Sequence, residues 1–390
     1  MAMSRLDGLR VAIIGGGIGG LAAALALTQA GCAVAVYERT ARLVDQGAGV
    51  TLAPNATKVL YHLGLGPRLE ETAVAQPFSE YRHGRTGAVL RRIERQASRQ
   101  VYGAPHLRMH RWDLQAALID ALAEAAPGAL QQGWRLDAIA THGTAVMLGF
   151  EGERRVHADL VIGADGIHSV VREALFPATP ASFVGHVAWR GLVPTAGLPP
   201  RLCDSVVAFG YGRHMNRYQV RRGELMNLVC FAKRDAWEAE GWTIPAKLSE
   251  LQAEYSDFDA ETRALIDRIP PDGLFKWGLF GRAPLTSWVR DRVVLLGDAA
   301  HPMLPFMGQG AAMAIEDAYV LCRALLLEAD PADGLARFQA ARMERVGHVT
   351  QRAAGQAGMF YGDPDSYSLD RDLTDKPTDL FTYDAVGVAI

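Results

Sequence analysis

"LRVAIIGGGIGGLAAALALTQAGCAVAVYE", residues 9–38, decides the fold. An apolar β-branched run ends in a cluster of glycines, and an Ala/Leu-rich segment follows and closes at Gly31. A second β-branched run then ends in an acid, Glu38. Strand, Gly-rich turn, helix and strand within about thirty residues make a βαβ unit. Gly15, Gly17 and Gly20 stand as G-x-G-x-x-G immediately after the first strand. Glycines at these positions permit a tight turn and the close approach of a pyrophosphate, whose charge rests on the N-terminus of the following helix. Glu38, eighteen residues after Gly20, is placed to accept hydrogen bonds from a ribose. The unit is read as a dinucleotide-binding fingerprint; Glu38 argues against a 2′-phosphate, and Arg39 beside it, which leans the other way, is counted with the binding set.

Working outward, residues 134–163 alternate strand-like segments with HG and EG turns, a small meander leading into an apolar strand, with a helix beginning near Ser169. From 178 to 271 Pro-rich connections separate the strand-like runs "SVVAFGYG", "MNRYQVRRG" and "ELMNLVCF", the pattern of an inserted β-rich domain. "RVVLLGDAAHP" returns to an apolar strand, a helix follows from about Gly310 to Glu328, and a Pro-initiated amphipathic helix runs on to "GMFY". The expected class is α/β: a Rossmann-like nucleotide-binding domain (1–72, 101–177 and 272–330), a β-rich substrate domain (73–100 and 178–271), and C-terminal helices with a tail that packs on the body (331–390).

At 390 residues and 49% hydrophobic, the chain is long enough for more than one core. A net charge of −3 with scattered basic residues lacks the electrostatic footprint of a nucleic-acid binder. No apolar run reaches the roughly 18 to 20 residues of a membrane span, and the N-terminus has no secretory pattern. Cys32, Cys203, Cys230 and Cys322 lie far apart without metal-ligand spacing, so no metal site and buried free thiols are expected, as in the cytoplasm.

Two further stretches narrow the ligand. "DLVIGADGIHSVVR" (159–172) ends a strand in Asp165-Gly166, and "GDAAHPMLPFMGQGAAMAIEDA" (297–318) carries Asp298, a Pro-containing turn and a Gly-rich helix start. With "GGGIGG", "GAGVTLAPN" and "HRWDL", they make the chain resemble the class A FAD-dependent aromatic hydroxylases with the p-hydroxybenzoate hydroxylase fold. Within that family it is most similar to the salicylate, 3-hydroxybenzoate and 6-hydroxynicotinate monooxygenases. The resemblance implies FAD held by Gly15, Gly17, Gly20 and Glu38, with Gly49 and Arg111 at its linker and Asp298 on the ribityl chain. It also implies backbone contacts from Leu136 and Ala311, and a largely architectural Asp165. NADH or NADPH would visit transiently, as no second G-x-G-x-x-G is present. A homodimer is implied too.

Flavin-dependent hydroxylation, through the C4a-hydroperoxide the resemblance implies, needs a site that excludes water. Pro305 fixes a loop with apolar Phe306 and Met307, and the helix start at Gly310 aims N–H groups where a reduced flavin is electron-rich. In "RHMNRYQV" (213–220) the strand period of two puts His214, Asn216 and Tyr218 on one face. His214 and Tyr218 match the pair that faces the ring in the resembled hydroxylases, His214 as proton acceptor and Tyr218 as phenol-orienting donor. Thr51 and Phe306 stand where the 6-hydroxynicotinate enzymes carry histidines, so a benzenoid hydroxy acid fits at least as well. Arg190 and Arg217 are candidate carboxylate partners, and His301 reads as structural. The expected reaction is hydroxylation of a small hydroxylated aromatic or pyridine carboxylic acid with NAD(P)H and O2, with or without loss of the carboxyl group; the alternative is an FAD oxidase or reductase that inserts no oxygen.

Overall fold

The computed structural model describes residues 5–45, 47–237, 244–366 and 379–390. The βαβ unit forms as read: strand Arg10–Ile14, helix Ile18–Gln29 and strand Ala33–Glu38, the two strands in parallel register. They occupy a six-stranded sheet in the order Val289–Arg290, Val293–Leu295, Leu160–Gly163, Arg10–Ile14, Ala33–Glu38, Leu130–Gln132. All its pairings are parallel except the edge hairpin. Near-continuous apolar strands such as "RVAII" and "LVIG" follow from that burial on both faces. The helix Ile18–Gln29 is apolar nearly all round because Gly310–Leu327 covers it on one side and Arg111–Ala125 on another.

The meander is a three-stranded sheet of Leu136–His142, Ala145–Phe150 and Arg154–Ala158. Helix Val170–Leu175 starts at Ser169, whose Oγ accepts from the Arg172 N–H at 2.9 Å. The inserted β-rich region is an eight-stranded sheet in which Phe78–His83 and Val89–Glu94 join Ser182–Pro194, Val206–Gly210, Arg213–Val220 and Leu225–Lys233. Phe275–Gly281 also belongs to it, paired antiparallel with Ser182–Pro194. The expected boundary at 271/272 is therefore corrected: the chain leaves this sheet only after Gly281, a long-range pairing that local composition does not reveal.

One face of the large sheet packs Met215, Leu228 and Trp189 against the helices Leu248–Glu254 and Ala260–Ile266. Its other face turns an aromatic cluster toward the loop before Gly310. The Pro-initiated helix spans Pro331–Tyr361 and ends in that cluster. Of the tail, 367–378 lies outside the described residues; Leu380 and Ala385 are buried against the body. Among the described residues no helix is long and apolar enough to cross a membrane, and no cluster of ligating side chains is built for a metal. Cys32, Cys230 and Cys322 are buried free thiols, whereas Cys203 is half-buried.

Candidate active site

At the carboxyl ends of the parallel strands lies a cleft of about 290 Å³. It is lined by Gly15, Gly17, Glu38, Arg39, Arg111, Leu136, Asp165, Asp298, Gly310 and Ala311. A larger, shallower depression over Arg10, Cys32 and Ala126 lies at the opposite ends of these strands and carries none of these groups. Gly15 has φ +109°, and a Cβ there would stand 2.4 Å from the Ala164 carbonyl oxygen; one on Gly20 would stand 2.1 Å from the Gly15 carbonyl oxygen. Gly17 instead faces open space, and the helix it precedes has no side-chain cap. The turn is thus drawn tight on its inner side and open on its outer side, where an anion meets free helix N–H groups.

Glu38 accepts from the Gly16 and Thr40 N–H groups, each at 2.8 Å, which fixes its carboxylate at the cleft edge. Asp165 accepts through Oδ2 from the N–H groups of Val170 (2.7 Å) and Val171 (3.3 Å), pinning the next helix. Its Oδ1 is buried without a protein partner. Asp298 and Arg111 have exposed surface yet are walled in by protein, since both face the interior of the cleft. Burial pushes the Asp298 carboxyl up, opposed by His301 and Arg111, and pushes the Arg111 guanidinium down, opposed by Asp298. An open glycine cradle, an uncapped helix and an orphaned carboxylate oxygen fit the phosphates and hydroxyls of FAD.

Three expected cofactor residues do not line the cleft: Gly20, which packs against the Gly15 carbonyl inside the turn, Gly49 and Pro305. Gly49 lies under Tyr218: its N–H donates to Asn227 Oδ1 at 2.7 Å, and a Cβ would stand 2.4 Å from a Tyr218 ring carbon. Glycine is needed there for the tyrosine. Pro305 is exposed and opens the single turn Pro305–Met307, which buries Phe306 in the aromatic cluster.

The pleat of Arg213–Val220 is as the alternation predicts. Met215 and Arg217 point to the helix-covered face, where Arg217 is paired with Glu261 at 3.0 Å, so it is removed as a carboxylate receptor. His214 and Tyr218 point the other way. The His214 ring is stacked between Phe231 and Phe360, both with centroids at 4.4 Å, with Phe306 edge-on at 5.5 Å. Its Nδ1 is buried without a partner, as is Asn216 Oδ1. Burial pushes the His214 imidazole down to about 3. The ring therefore rests neutral near pH 7, the form a proton acceptor starts from, in an apolar wall that opposes its charging. Tyr218 is 4% exposed, its hydroxyl is pushed up by burial, and Thr51 hydrogen-bonds it. Thr51 in turn lies 3.5 Å from where a Cβ on Gly308 would sit, so the tyrosine is one residue removed from the Pro305–Gly310 loop.

His301 is part of a separate buried network. Its Nε2 lies 2.6 Å from Asp317, and Arg342 bonds both Asp317 and Glu316 at 2.7 Å. Asn55 donates to Glu316 at 2.6 Å and to Gln309 at 3.0 Å. The network ties the strand end, the loop and the helix start into one rigid unit, the structural role expected of this histidine.

The sequence reading missed Arg108, buried with its Cζ 4.5 Å from the Tyr218 ring centroid, and the helix-end pair Phe360 and Tyr361. The first left a signal, a charge inside the short apolar strand Leu107–His110; the second left none.

The model of the family described as FAD binding domain matches residues 8–353. The 3-amino-4-hydroxybenzoate 2-monooxygenase PtnB3 of Streptomyces platensis is 36% identical over 356 residues, covering 90% of this chain and 88% of that protein. The 6-hydroxynicotinate 3-monooxygenase of Pseudomonas fluorescens is 36% identical over 323 residues, covering 81% and 82%. Among solved structures, Klebsiella pneumoniae HpxO complexed with FAD and uric acid superposes with a TM-score of 0.82 at 27% identity, covering 92% of this chain and 90% of that one.

Proposed function

The chain belongs to the FAD-binding-domain family and is a flavoprotein monooxygenase using NAD(P)H and O2, and on that premise we propose that its substrate is a small hydroxylated aromatic or pyridine carboxylic acid. The observation that carries this reading is the cage of Phe231, Phe306, Phe360 and Tyr361 around His214, with Tyr218 on the same sheet face. An aromatic ring finds offset and edge-on partners there, and the orphaned Nδ1 of His214 finds a hydroxyl. Relatives named for aminohydroxybenzoate and hydroxynicotinate support the same class. Their naming as monooxygenases disfavours an oxidase or reductase without oxygen insertion.

When bound, FAD supplies the two-electron chemistry and activates oxygen. In this reading Gly15, Gly17 and Gly20 receive its pyrophosphate, Glu38 with Arg39 the adenosine end, and Asp298 with Arg111 the middle of the molecule. Leu136, Gly310 and Ala311 wall the cleft. Phe306 and the aromatic cage exclude water from the reacting edge. Tyr218, too hard to ionise at neutral pH, donates to or orients the substrate hydroxyl, and His214 holds the ring's polar edge without taking its proton for keeps. A homodimer and a cytoplasmic location belong to the same reading.

The test is a panel of hydroxybenzoates and hydroxypyridine carboxylic acids, followed by NADH oxidation and by product mass under labelled oxygen. At least one acid should accelerate NADH oxidation and gain one labelled atom. No acceleration by any of them, or acceleration without label, defeats the proposal. His214→Ala and Tyr218→Phe should keep FAD and lose product yield per NADH.

A further inference from the structure

Tyr218 stands beside two guanidinium groups that have no acidic partner among the described residues. Arg108 is 8% exposed; its Nη2 donates to Ser79 Oγ at 3.0 Å, its Nη1 is buried with no partner, and its Cζ sits 4.5 Å from the Tyr218 ring centroid. Ser205 donates to the same Ser79 Oγ at 3.2 Å, which fixes the serine and so the guanidinium. Arg190 lies on the active-site face of Ser182–Pro194, between Val229 and Phe275 in the ladder, with its Cζ 5.4 Å from the Trp277 ring centroid. It too acts electrostatically on Tyr218.

Other deeply buried arginines have more partners inside the fold, although Nε of Arg172 and of Arg217 is also buried without one. Arg342 has two carboxylates, Arg217 has Glu261, and Arg172 has the carbonyls of Ala299, Ala300 and Ala283. Arg111 faces Asp298 in the cofactor cleft. An unpaired buried charge costs several kcal/mol, and an orphaned N–H beside it adds to that. One such group against a tyrosine ring, with the half-buried Arg190 on the same sheet face, is what an anion-binding site looks like before its anion arrives, and a planar carboxylate matches the guanidinium fork.

We propose that Arg108, seconded by Arg190, is the receptor for the substrate's carboxylate and the residue that selects acids over neutral phenols. This rests on the aromatic-acid reading above. It also gives the substrate a direction: His214 and Tyr218 are four residues apart along one strand, about 13 Å. The carboxylate lies at the Tyr218 end, and the ring extends past Asn216, whose Oδ1 is unpartnered, toward the aromatic cage at His214.

The experiment titrates flavin-loaded protein, without NADH, with salicylate, 3-hydroxybenzoate and 6-hydroxynicotinate and with the matching neutral carboxamides, reading the flavin absorbance change. The parent should bind at least one acid more tightly than its amide. Arg108→Gln should weaken the acid about 10- to 100-fold, leave the amide unchanged and retain FAD; Arg108→Lys should recover part of the loss, and Arg190→Gln should weaken the acid less. Acid affinity unchanged in Arg108→Gln, or acid and amide weakened equally, overturns the receptor while leaving the aromatic-acid reading intact. A parent that responds to no acid or amide overturns that reading itself, and the receptor with it.

Discussion

Arg342 and Arg108 are both buried, yet the first is held by Glu316 and Asp317 and the second has no carboxylate partner among the described residues. The histidines of the two regions differ in the same way: His301 contacts Asp317 at 2.6 Å, while His214 is stacked between two phenylalanines. Burial alone would raise Asp317, but His301 and Arg342 pull it below its ordinary value, and the same carboxylates raise Arg342. In the first region every charge is answered from within the chain, so the region is structure. In the second the answers are missing, and what is missing has the shape and charge of a ligand.

Breaking the answered region should have the largest effect. Arg342→Met leaves buried Glu316 with Arg345 and Asn55 and buried Asp317 with His301, and should cost about 3–5 kcal/mol, read as a lower midpoint in urea; a change under about 1 kcal/mol would put this network on a par with a surface pair. Asp298 is a carboxyl of the cofactor cleft, and its folded pKa lies above its unfolded one. Its contribution to stability is therefore full below the unfolded value and is lost as pH rises through the folded value. Asp298→Asn should raise the Tm of the FAD-free protein at pH 7 while lowering its FAD content after purification; a fully yellow variant would remove Asp298 from the binding set.

His214 is a smaller lever with the opposite sign. Its folded value, about 3, is below the unfolded one, so the stability it lends is present above about pH 6.5 and is lost as pH falls toward 3. His214→Phe should narrow the gap between Tm at pH 7 and Tm at pH 5, and an unchanged gap would mean the imidazole is not desolvated. Arg108→Met should destabilise least of all, leaving the parent's stability unchanged or raising it, because it removes a buried charge and orphans no carboxylate among the described residues. A loss as large as that of Arg342→Met would erase the contrast between the two regions.

The nucleotide half was legible because its constraints are local. Gly15 and Gly20 are demanded by contacts a few residues away or at the adjacent strand end, and the acid at the end of the second strand is fixed by the turn's own Gly16 N–H. The pairing of His214 with Tyr218 was legible for a similar reason, since strand alternation alone puts them on one face. Three things were not. Gly49 was read as a cofactor contact, and the demand that Tyr218, far along the chain, places on the same glycine had no local pattern. Phe275–Gly281 joins the large sheet through a partner strand nearly a domain away. Arg108 could be seen as a charge in an apolar strand, but the absence of an acid around it is a three-dimensional fact with no sequence pattern.

The helix Pro331–Tyr361 reaches from the paired network to the aromatic cage: Arg342 and Arg345 serve Glu316, and Phe360 and Tyr361 close on His214. Fifteen residues separate Arg345 from Phe360, all within one helix, so the helix acts as a ruler with a fixed phase. Removing a single residue between them would shorten it by only about 1.5 Å but rotate the aromatic pair by about 100°, off the cage wall. The length of this segment is thus under a constraint that its unremarkable composition does not show: its exposed side chains can be exchanged, whereas residues cannot be gained or lost singly.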